Sequence, residues 1–202
     1  MSCSIPQETI DQCIAFHGHS CPGLTIGIRA AEYARTRLNQ DGGAELVCVT
    51  ETDMCGVDAI QFLTGCTVGK GNMIHRDYGK MAFSFFDRRT GEGVRLLLRP
   101  ESRQDIDAAL ARRQRALDEQ YTPEGAAAVA VLRQQLQDRF MTLPLDAMFE
   151  AQPLQQGPPR PAKILESLTC EACGEKTMES RTRRFAGQTL CIPCFQAREQ
   201  KI

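Results

Sequence analysis

The segment that decides the fold class is residues 72–99, which read NMIHRDYGKMAFSFFDRRTGEGVRLLLR. Three stretches in it have the character of strands, namely residues 72–77, 81–87 and 94–99. The intervening residues 78–80 and 89–93 contain glycine and are typical of turns. Because these strands follow one another and do not alternate with helices, the segment predicts an α+β fold and not a doubly wound parallel sheet.

The patterns on either side of this segment are mostly helical. Upstream, the sequence predicts helices at 6–16, 22–38 and 58–64, a turn at 41–43 and a strand at 45–50. Downstream, the pattern becomes helical from Ser102 onwards, and Thr122 before Pro123 predicts the capped start of a second helix. We therefore expect a core of helices packed with an antiparallel-rich sheet.

The chain divides into two domains and a linker. Residues 152–163 contain four prolines and a glycine, which is typical of a linker. We predict a core domain at residues 1–151 and a small cysteine-containing domain at residues 164–202.

The composition argues against several classes of function. The chain has 202 residues, ten cysteines and a formal net charge of -1. Nucleic-acid and membrane-surface binding both need a basic excess, so neither is expected. Residues 1–6 lack the features of a signal peptide, and no apolar stretch reaches the ~18 residues that a membrane span needs. We therefore expect a cytoplasmic protein whose cysteines are thiols, metal ligands or redox groups rather than structural disulfides.

The C-terminal cysteines have the spacing of a structural zinc site. Cys170 and Cys173 form one C-x2-C pair, and Cys191 and Cys194 form a second. Four thiolates complete a tetrahedral zinc shell and leave no open position for chemistry. A rubredoxin-like iron site and two disulfides are the alternatives. The predicted order of knuckle, hairpin, knuckle and helix, with the helix near Cys194, is that of a treble clef.

A second candidate metal site lies near the N-terminus. Residues 16–23 read FHGHSCPG and place two imidazoles and a thiol within five positions. Imidazole and thiolate are preferred ligands of zinc and of soft transition metals. We expect His17, His19, Cys21 and Cys55 to hold a divalent transition metal, with zinc as the first choice. A redox thiol pair and simple buried thiols remain as alternatives.

Residues around this site are candidates for chemistry. Cys55, Cys66, Asp58 and Lys70 are the candidate catalytic residues. The glycine-rich stretch 65–72 is not a P-loop, since its spacing and Gly71 do not fit that motif. His75 falls in a strand pattern and is expected to be structural.

These motifs resemble those of the FmdE family, which takes its name from formylmethanofuran dehydrogenase. The resemblance rests on residues 16–29 (FHGHSCPGLTIGIR), 55–61 (CGVDAIQ), 64–72 (TGCTVGKGN) and 79–83 (GKMAF). It covers roughly residues 6–150. The C-terminal cysteines are similar to those of the DksA/TraR type of zinc finger.

The resemblance has several implications. It implies an α+β core joined to a treble-clef zinc finger, in homodimeric proteins. It also implies a cleft lined by residues 17–21 and by the Cys55 and Cys66 loops, often with a bound metal. The family name implies association with a molybdenum or tungsten enzyme that oxidises formylmethanofuran. The chain itself has no ferredoxin-type cysteine run and no evident pterin site.

Three hypotheses for function follow. The first is a metal-binding accessory protein of the FmdE type that works with the components of a molybdopterin-dependent oxidoreductase. The second is a stand-alone metalloenzyme with an open His/Cys metal site. The third is a zinc-finger interaction or regulatory module, for which nucleic acid is the least expected partner because the charge is nearly balanced.

Overall fold

The structure, a computed structural model, describes residues 3–38 and 46–199. The predicted turn at residues 41–43 lies outside these residues. Contacts divide the chain into two compact units, Met1–Pro161 and Ala162–Ile202. We call them the core unit and the C-terminal unit. No helix among the described residues combines the length and apolar character that crossing a membrane requires.

A five-stranded sheet forms the centre of the core unit. Its strands are β1 (Leu46–Thr50), β2 (Met73–His75), β3 (Ala82–Asp87), β4 (Gly93–Leu98) and β5 (Phe149–Pro153). Their order across the sheet is β2-β1-β3-β4-β5. The pairs β1–β3, β3–β4 and β4–β5 are antiparallel, whereas β1–β2 is parallel. The core is therefore α+β with a mostly antiparallel sheet.

Six α-helices accompany this sheet in the part of the core unit that the structure describes. They are α1 (Gln7–His17), α2 (Pro22–Leu38), α3 (Gly56–Thr64), α4 (Gln104–Glu119), α5 (Pro123–Thr142) and α6 (Leu145–Met148). The N-terminus of α5 is capped as predicted, because the Thr122 hydroxyl accepts a hydrogen bond from the Gly125 N–H at 3.0 Å.

The apolar residues of β3 explain why this strand lies at the centre. Its six residues are all buried, and successive side chains point to opposite faces. Phe83 and Phe85 belong to the main hydrophobic core, which also includes Ile26 of α2 and Phe140 of α5. Phe86 belongs to a smaller cluster that includes Val47 and Val49 of β1 and so lies on the opposite face. The sheet thus buries both of its faces around this strand.

Three local features differ from the sequence predictions. The stretch predicted at residues 72–77 forms only the short strand β2, which pairs with β1 rather than with β3. Sheet pairing continues beyond residue 151 into the segment assigned to the linker, since β5 ends at Pro153 and the Leu154 N–H donates to the Gly93 carbonyl. Alternating apolar residues do not mark β5 (FEAQP), which explains why no strand was predicted there.

Among its described residues, the C-terminal unit contains two β-hairpins, one short α-helix and a single turn of 3₁₀ helix at Glu179–Arg181. The strands are β6 (Ser167–Thr169), β7 (Lys176–Met178), β8 (Thr182–Phe185) and β9 (Gln188–Cys191), and the helix is α7 (Ile192–Gln196). Strand β6 pairs with β7 and β8 pairs with β9. The predicted helix begins two residues before Cys194 and has only five residues. Pro193 in its first turn accounts for the early start.

Candidate metal centre

The N-terminal candidate ligands lie where α1, α2 and α3 begin or end. His17 is the last residue of α1, and Gly18 ends that helix in the left-handed conformation with φ 93°. This conformation favours glycine and turns the chain sharply, so that His19 follows within two residues. Cys21 immediately precedes α2, and Cys55 immediately precedes α3.

Glycines allow α2 and α3 to approach closely enough to bring Cys21 and Cys55 together. A Cβ atom on Gly27 would lie 2.1 Å from the Gly56 carbonyl oxygen, and one on Gly56 would lie 2.9 Å from the Gly23 carbonyl oxygen. A Cβ atom on Gly23 would meet the side chains of Cys55 and Cys21 at 3.2 to 3.9 Å. The absence of side chains at these three positions therefore determines the spacing of the two thiols.

Four ligand atoms converge at this point. His17, His19, Cys21 and Cys55 each offer one nitrogen or sulfur, and these atoms all lie within 4.8 Å of one another. The two imidazole rings have their centroids 4.4 Å apart. His19 is exposed, whereas the other three residues are partly buried. We call this group the core cluster.

Asp58 fixes the orientation of one imidazole in the core cluster. Its Oδ2 lies 2.7 Å from His17 Nδ1, and Gln61 Nε2 donates to its other oxygen at 3.3 Å. With Asp58 ionised, Nδ1 carries the proton and Nε2 presents a lone pair. His17 Nε2 is buried and has no hydrogen-bond partner among the described residues. A histidine that binds a metal through one ring nitrogen usually donates a hydrogen bond from the other nitrogen to a carboxylate, which orients the ring. His17 and Asp58 have this arrangement.

The thiols of the core cluster have distinct surroundings. The Leu24 N–H, in the first turn of α2, donates to Cys21 Sγ at 3.3 Å. Burial and the neighbouring Cys21 raise the pKa of Cys55 above its ordinary value. A metal ion must therefore displace the proton of Cys55 to bind it. With two nitrogens and two sulfurs, the donor set fits a tetrahedral zinc ion.

The C-terminal cysteines form a second cluster. The sulfurs of Cys170, Cys173, Cys191 and Cys194 all lie within 4.8 Å of one another. The Cys173 and Cys191 sulfurs are 3.9 Å apart, close to the separation of about 3.8 Å that two Zn–S bonds of ~2.3 Å give in a tetrahedron. Backbone N–H groups, first that of Cys191, lower the pKa of Cys170 to about 6. All ten cysteines lie in the described residues, and none forms a disulfide.

Comparison with known families identifies the core unit. The family described as "FmdE, Molybdenum formylmethanofuran dehydrogenase operon" matches residues 16–150, which is more than half of the chain. This range contains all four ligands of the core cluster.

The chain belongs to the FmdE family.

The C-terminal unit of this FmdE chain matches a second family. Residues 163–200 fit the prokaryotic dksA/traR C4-type zinc finger. The match and the four converging sulfurs together confirm the predicted structural zinc site. Four thiolates leave no coordination position open, so this zinc stabilises the fold and does no chemistry.

Two individual proteins are similar to this FmdE chain. One is a tungsten formylmethanofuran dehydrogenase FmdE-like protein from Syntrophus aciditrophicus. Its crystal structure aligns over 96% of this chain and 94% of its own, with a TM-score of 0.62 and 24% identity. That likeness shows the fold. The other is a probable S-adenosyl-L-methionine-binding protein from Archaeoglobus fulgidus, 26% identical over 89% of this chain. The chain spans only 50% of the length of that relative.

The remaining candidate residues of the FmdE chain lie apart from the core cluster. Cys66 is fully buried in the main hydrophobic core, and its thiol donates to the Leu46 carbonyl at 3.4 Å. Burial raises the pKa of the Cys66 thiol, as expected for a structural cysteine. Lys70 is exposed on the loop after α3, and His75 is exposed at the end of β2. Of the candidates outside the cluster, only Asp58 contacts one of its members.

Proposed function

We propose that the core cluster binds a divalent transition metal, with zinc as the first choice. We further propose that the chain is a metal-binding accessory protein for a molybdopterin-dependent oxidoreductase of the formylmethanofuran dehydrogenase kind. The proposal includes a homodimeric state and a cytoplasmic location. Membership of the FmdE family supports the accessory role.

One observation supports the metal site above all others. Imidazoles from the end of α1 and thiols from the starts of α2 and α3 converge within 4.8 Å, although Cys55 lies far from the others in sequence. His17 Nε2 is buried in this group without a partner among the described residues, a state that costs about 1–3 kcal/mol unless a ligand satisfies it. Binding of a cation removes this cost.

The ligand set favours an accessory role over a stand-alone metalloenzyme. Four protein ligands form a closed shell, whereas catalytic zinc sites keep a position open for water or substrate. Cys66 is buried in the main hydrophobic core and Lys70 is exposed on a loop, so an acid–base pair beside the cluster is not evident among the described residues. An enzymatic function would require one ligand to dissociate, and His19 is the most exposed of the four.

The C-terminal unit gives little support to nucleic-acid recognition as the main function. Its basic residues Arg183 and Arg184 hydrogen-bond within the unit, to the Thr182 carbonyl and the Thr189 hydroxyl. Acidic side chains, such as that of Glu179, lie nearby in sequence. A regulatory contact with protein remains compatible with this surface.

Metal analysis of the full chain tests the proposal. We expect two equivalents of zinc per chain, of which His19→Ala removes the core equivalent and Cys191→Ala removes the C-terminal one. His75→Ala is the matched control, because the third histidine lies outside both clusters and its loss leaves both equivalents in place. A single equivalent in the unchanged protein, lost only through Cys191→Ala, contradicts the core site.

Cobalt substitution separates the accessory role from the enzymatic one. In the Cys191→Ala variant, cobalt reports on the core cluster alone. A closed shell predicts a tetrahedral cobalt spectrum that azide and small thiols leave unchanged. A spectrum that shifts with these ligands would show an open position and would favour the enzyme.

A further inference from the structure

A cavity of the core unit lies at the end of α2 opposite the core cluster. It has a volume of about 470 Å³ and lies between the second half of α2 and the corner that joins α5 to α6. Tyr33, one of its lining residues, is about 18 Å along the helix from Cys21, at 1.5 Å per residue. The cavity is therefore separate from the core cluster. Its volume is within the range of small-molecule sites, roughly 300–1,000 Å³. We call it the α2 cavity.

A buried ion pair forms the floor of the α2 cavity. Arg29 and Glu32 are 2% and 5% exposed, and their side chains meet at 2.6 Å. Arg29 also donates to the Leu143 carbonyl at 2.6 Å, and Glu32 accepts from the Ser4 N–H at 2.7 Å. These contacts tie α2 to the N-terminal segment and to the α5–α6 corner.

The floor also presents an unsatisfied donor. The Nε–H of Arg29 is buried and has no hydrogen-bond partner among the described residues. A buried polar group without a partner is uncommon and costs free energy, and the one here lies in a residue that lines the cavity. The donor is buried, so it belongs to the packed floor and not to the surface that a ligand touches.

The rim of the α2 cavity carries one free charge of each sign. Arg37 and Asp146 line the cavity, and neither has an ion-pair partner within residues 3–38 and 46–199. Both charges affect the ionisation of the Tyr33 phenol group. Burial and the negative charge of Asp146 raise the pKa of Tyr33, and the positive charge of Arg37 opposes this shift. The two rim charges therefore lie close to the same phenol group.

The walls between these charges are apolar. The Tyr33 ring, Pro144 and Leu145 supply them, and both Tyr33 and Leu145 pack against the main hydrophobic core. A ligand that fits must therefore combine an apolar body with a negative and a positive group that are close together.

We propose that the α2 cavity binds a small zwitterion with an apolar side chain, of the kind of a free hydrophobic amino acid. The carboxylate pairs with Arg37, the ammonium group faces Asp146, and the side chain packs against Tyr33 and Leu145. This pose pairs both rim charges. It is independent of the metal proposal, because none of these residues belongs to the core cluster.

Titration of the full, zinc-loaded chain with L-leucine, L-methionine and L-phenylalanine tests the inference. We expect saturable binding by calorimetry for at least one of them, with NMR shifts centred on Tyr33, Arg37 and Asp146. N-acetyl-L-leucine lacks the ammonium group and L-leucinamide lacks the carboxylate. Each should bind at least about tenfold more weakly than L-leucine, since each lacks one of the two charged groups that the rim pairs.

Two rim substitutions assign the charges. Arg37→Gln should weaken L-leucine about tenfold and leave L-leucinamide unchanged. Asp146→Asn should weaken L-leucine and leave N-acetyl-L-leucine unchanged. Arg35→Gln is the matched control, with the same charge change on the same helix away from the cavity, and should bind L-leucine normally.

Several results would overturn the proposal. The first is the absence of saturable binding for all three amino acids. The second is that L-leucinamide binds as tightly as L-leucine, which would indicate a site for any ammonium group, such as a peptide N-terminus. The third is that N-acetyl-L-leucine binds as tightly as L-leucine, which would indicate a simple anion site. An effect of Arg35→Gln as large as that of Arg37→Gln would also overturn it. Binding should persist in the His19→Ala variant, so failure of the core metal site and failure of the α2 cavity are distinguishable.

Discussion

At the scale of single residues, the core cluster depends on a side chain that does not belong to it. Asp58 accepts a hydrogen bond from His17 and in turn is held by Gln61. The carboxylate holds the imidazole ring in place, with Nε2 of His17 facing the other members of the cluster. In the proposed metal site, Asp58 would act on the ion through His17 and is therefore a positioning residue.

We predict that Asp58→Asn weakens metal binding at the core cluster by about 10- to 100-fold, the usual effect of losing such a support. Competition with a chromophoric chelator in the Cys191→Ala background measures this affinity. Asp11→Asn is the control, because Asp11 lies on the exposed face of α1 and, among the described residues, its side chain bonds to Gln7 and not to the core cluster. Equal affinities of Asp58→Asn and the unchanged protein would show that Asp58 does not support the metal.

The sequence predicts the ligand residues and places Asp58 among several candidate groups around them, without identifying the residue that it supports. Two histidines and a cysteine within five positions are conspicuous in a chain with three histidines. The contact of Asp58 with His17 depends on how α1 packs against α3, which local patterns do not specify. Cys66 has the same chemistry as Cys55, yet tertiary packing buries it against the Leu46 carbonyl.

At the scale of elements, the contact between α2 and α3 sets the geometry of the core cluster. The helices approach at Gly27 and Gly56, where a Cβ atom would come within 2.1 Å and 2.9 Å of backbone, respectively. Gly23 and Gly27 are one helical turn apart on α2, a spacing of small residues that permits close helix packing. This pattern is visible in the sequence and could have predicted the contact, whereas its partner Gly56 could not be identified from the sequence alone.

We predict that Gly27→Ala destabilises the core unit by about 1–3 kcal/mol and weakens metal binding at the core cluster. Overpacking at the helix contact outweighs the roughly 1 kcal/mol that alanine gains over glycine in a helix. Gly69→Ala is the control, because a Cβ atom there has no neighbour within 4 Å. Urea unfolding and chelator competition measure the two effects. Retention of both stability and affinity in Gly27→Ala would contradict the packing argument.

Strands illustrate what sequence patterns specify and what they omit. The aromatic stretch of β3 and the apolar stretch of β4 were predicted within one residue, because both are rich in buried apolar positions. The sequence pattern did not predict the parallel pairing of β2 with β1 or the existence of the edge strand β5, because short edge strands carry little apolar patterning of their own.

At the scale of the whole molecule, the two units depend on different forces. The core unit buries a large set of apolar side chains around its sheet. The C-terminal unit has a much smaller buried cluster, of which Cys170, Cys191 and Leu190 are the fully buried members. Because a unit of this size buries too little apolar surface to be stable alone, its zinc ion supplies much of the free energy of folding.

We predict that a strong chelator unfolds the C-terminal unit while the core unit stays folded. Trypsin should then cleave at Lys176, Arg181 and Arg183, and the thermal transition of the core unit should remain. Excess zinc should restore protection, which serves as the control for irreversible damage. Resistance of residues 162–199 to trypsin after complete zinc removal would show that the unit is stable without its metal.

The positions of the ligands along the chain also set what each site needs before it can form during synthesis. The four cysteines of the C-terminal unit lie between Cys170 and Cys194, so that finger can load its ion as soon as this stretch has left the ribosome. The core cluster joins His17 to Cys55 and needs α3 docked on α2 through Gly27 and Gly56. A metal ion at the proposed core site would therefore bind only after that helix pair has assembled, and its occupancy would report that the core has folded correctly.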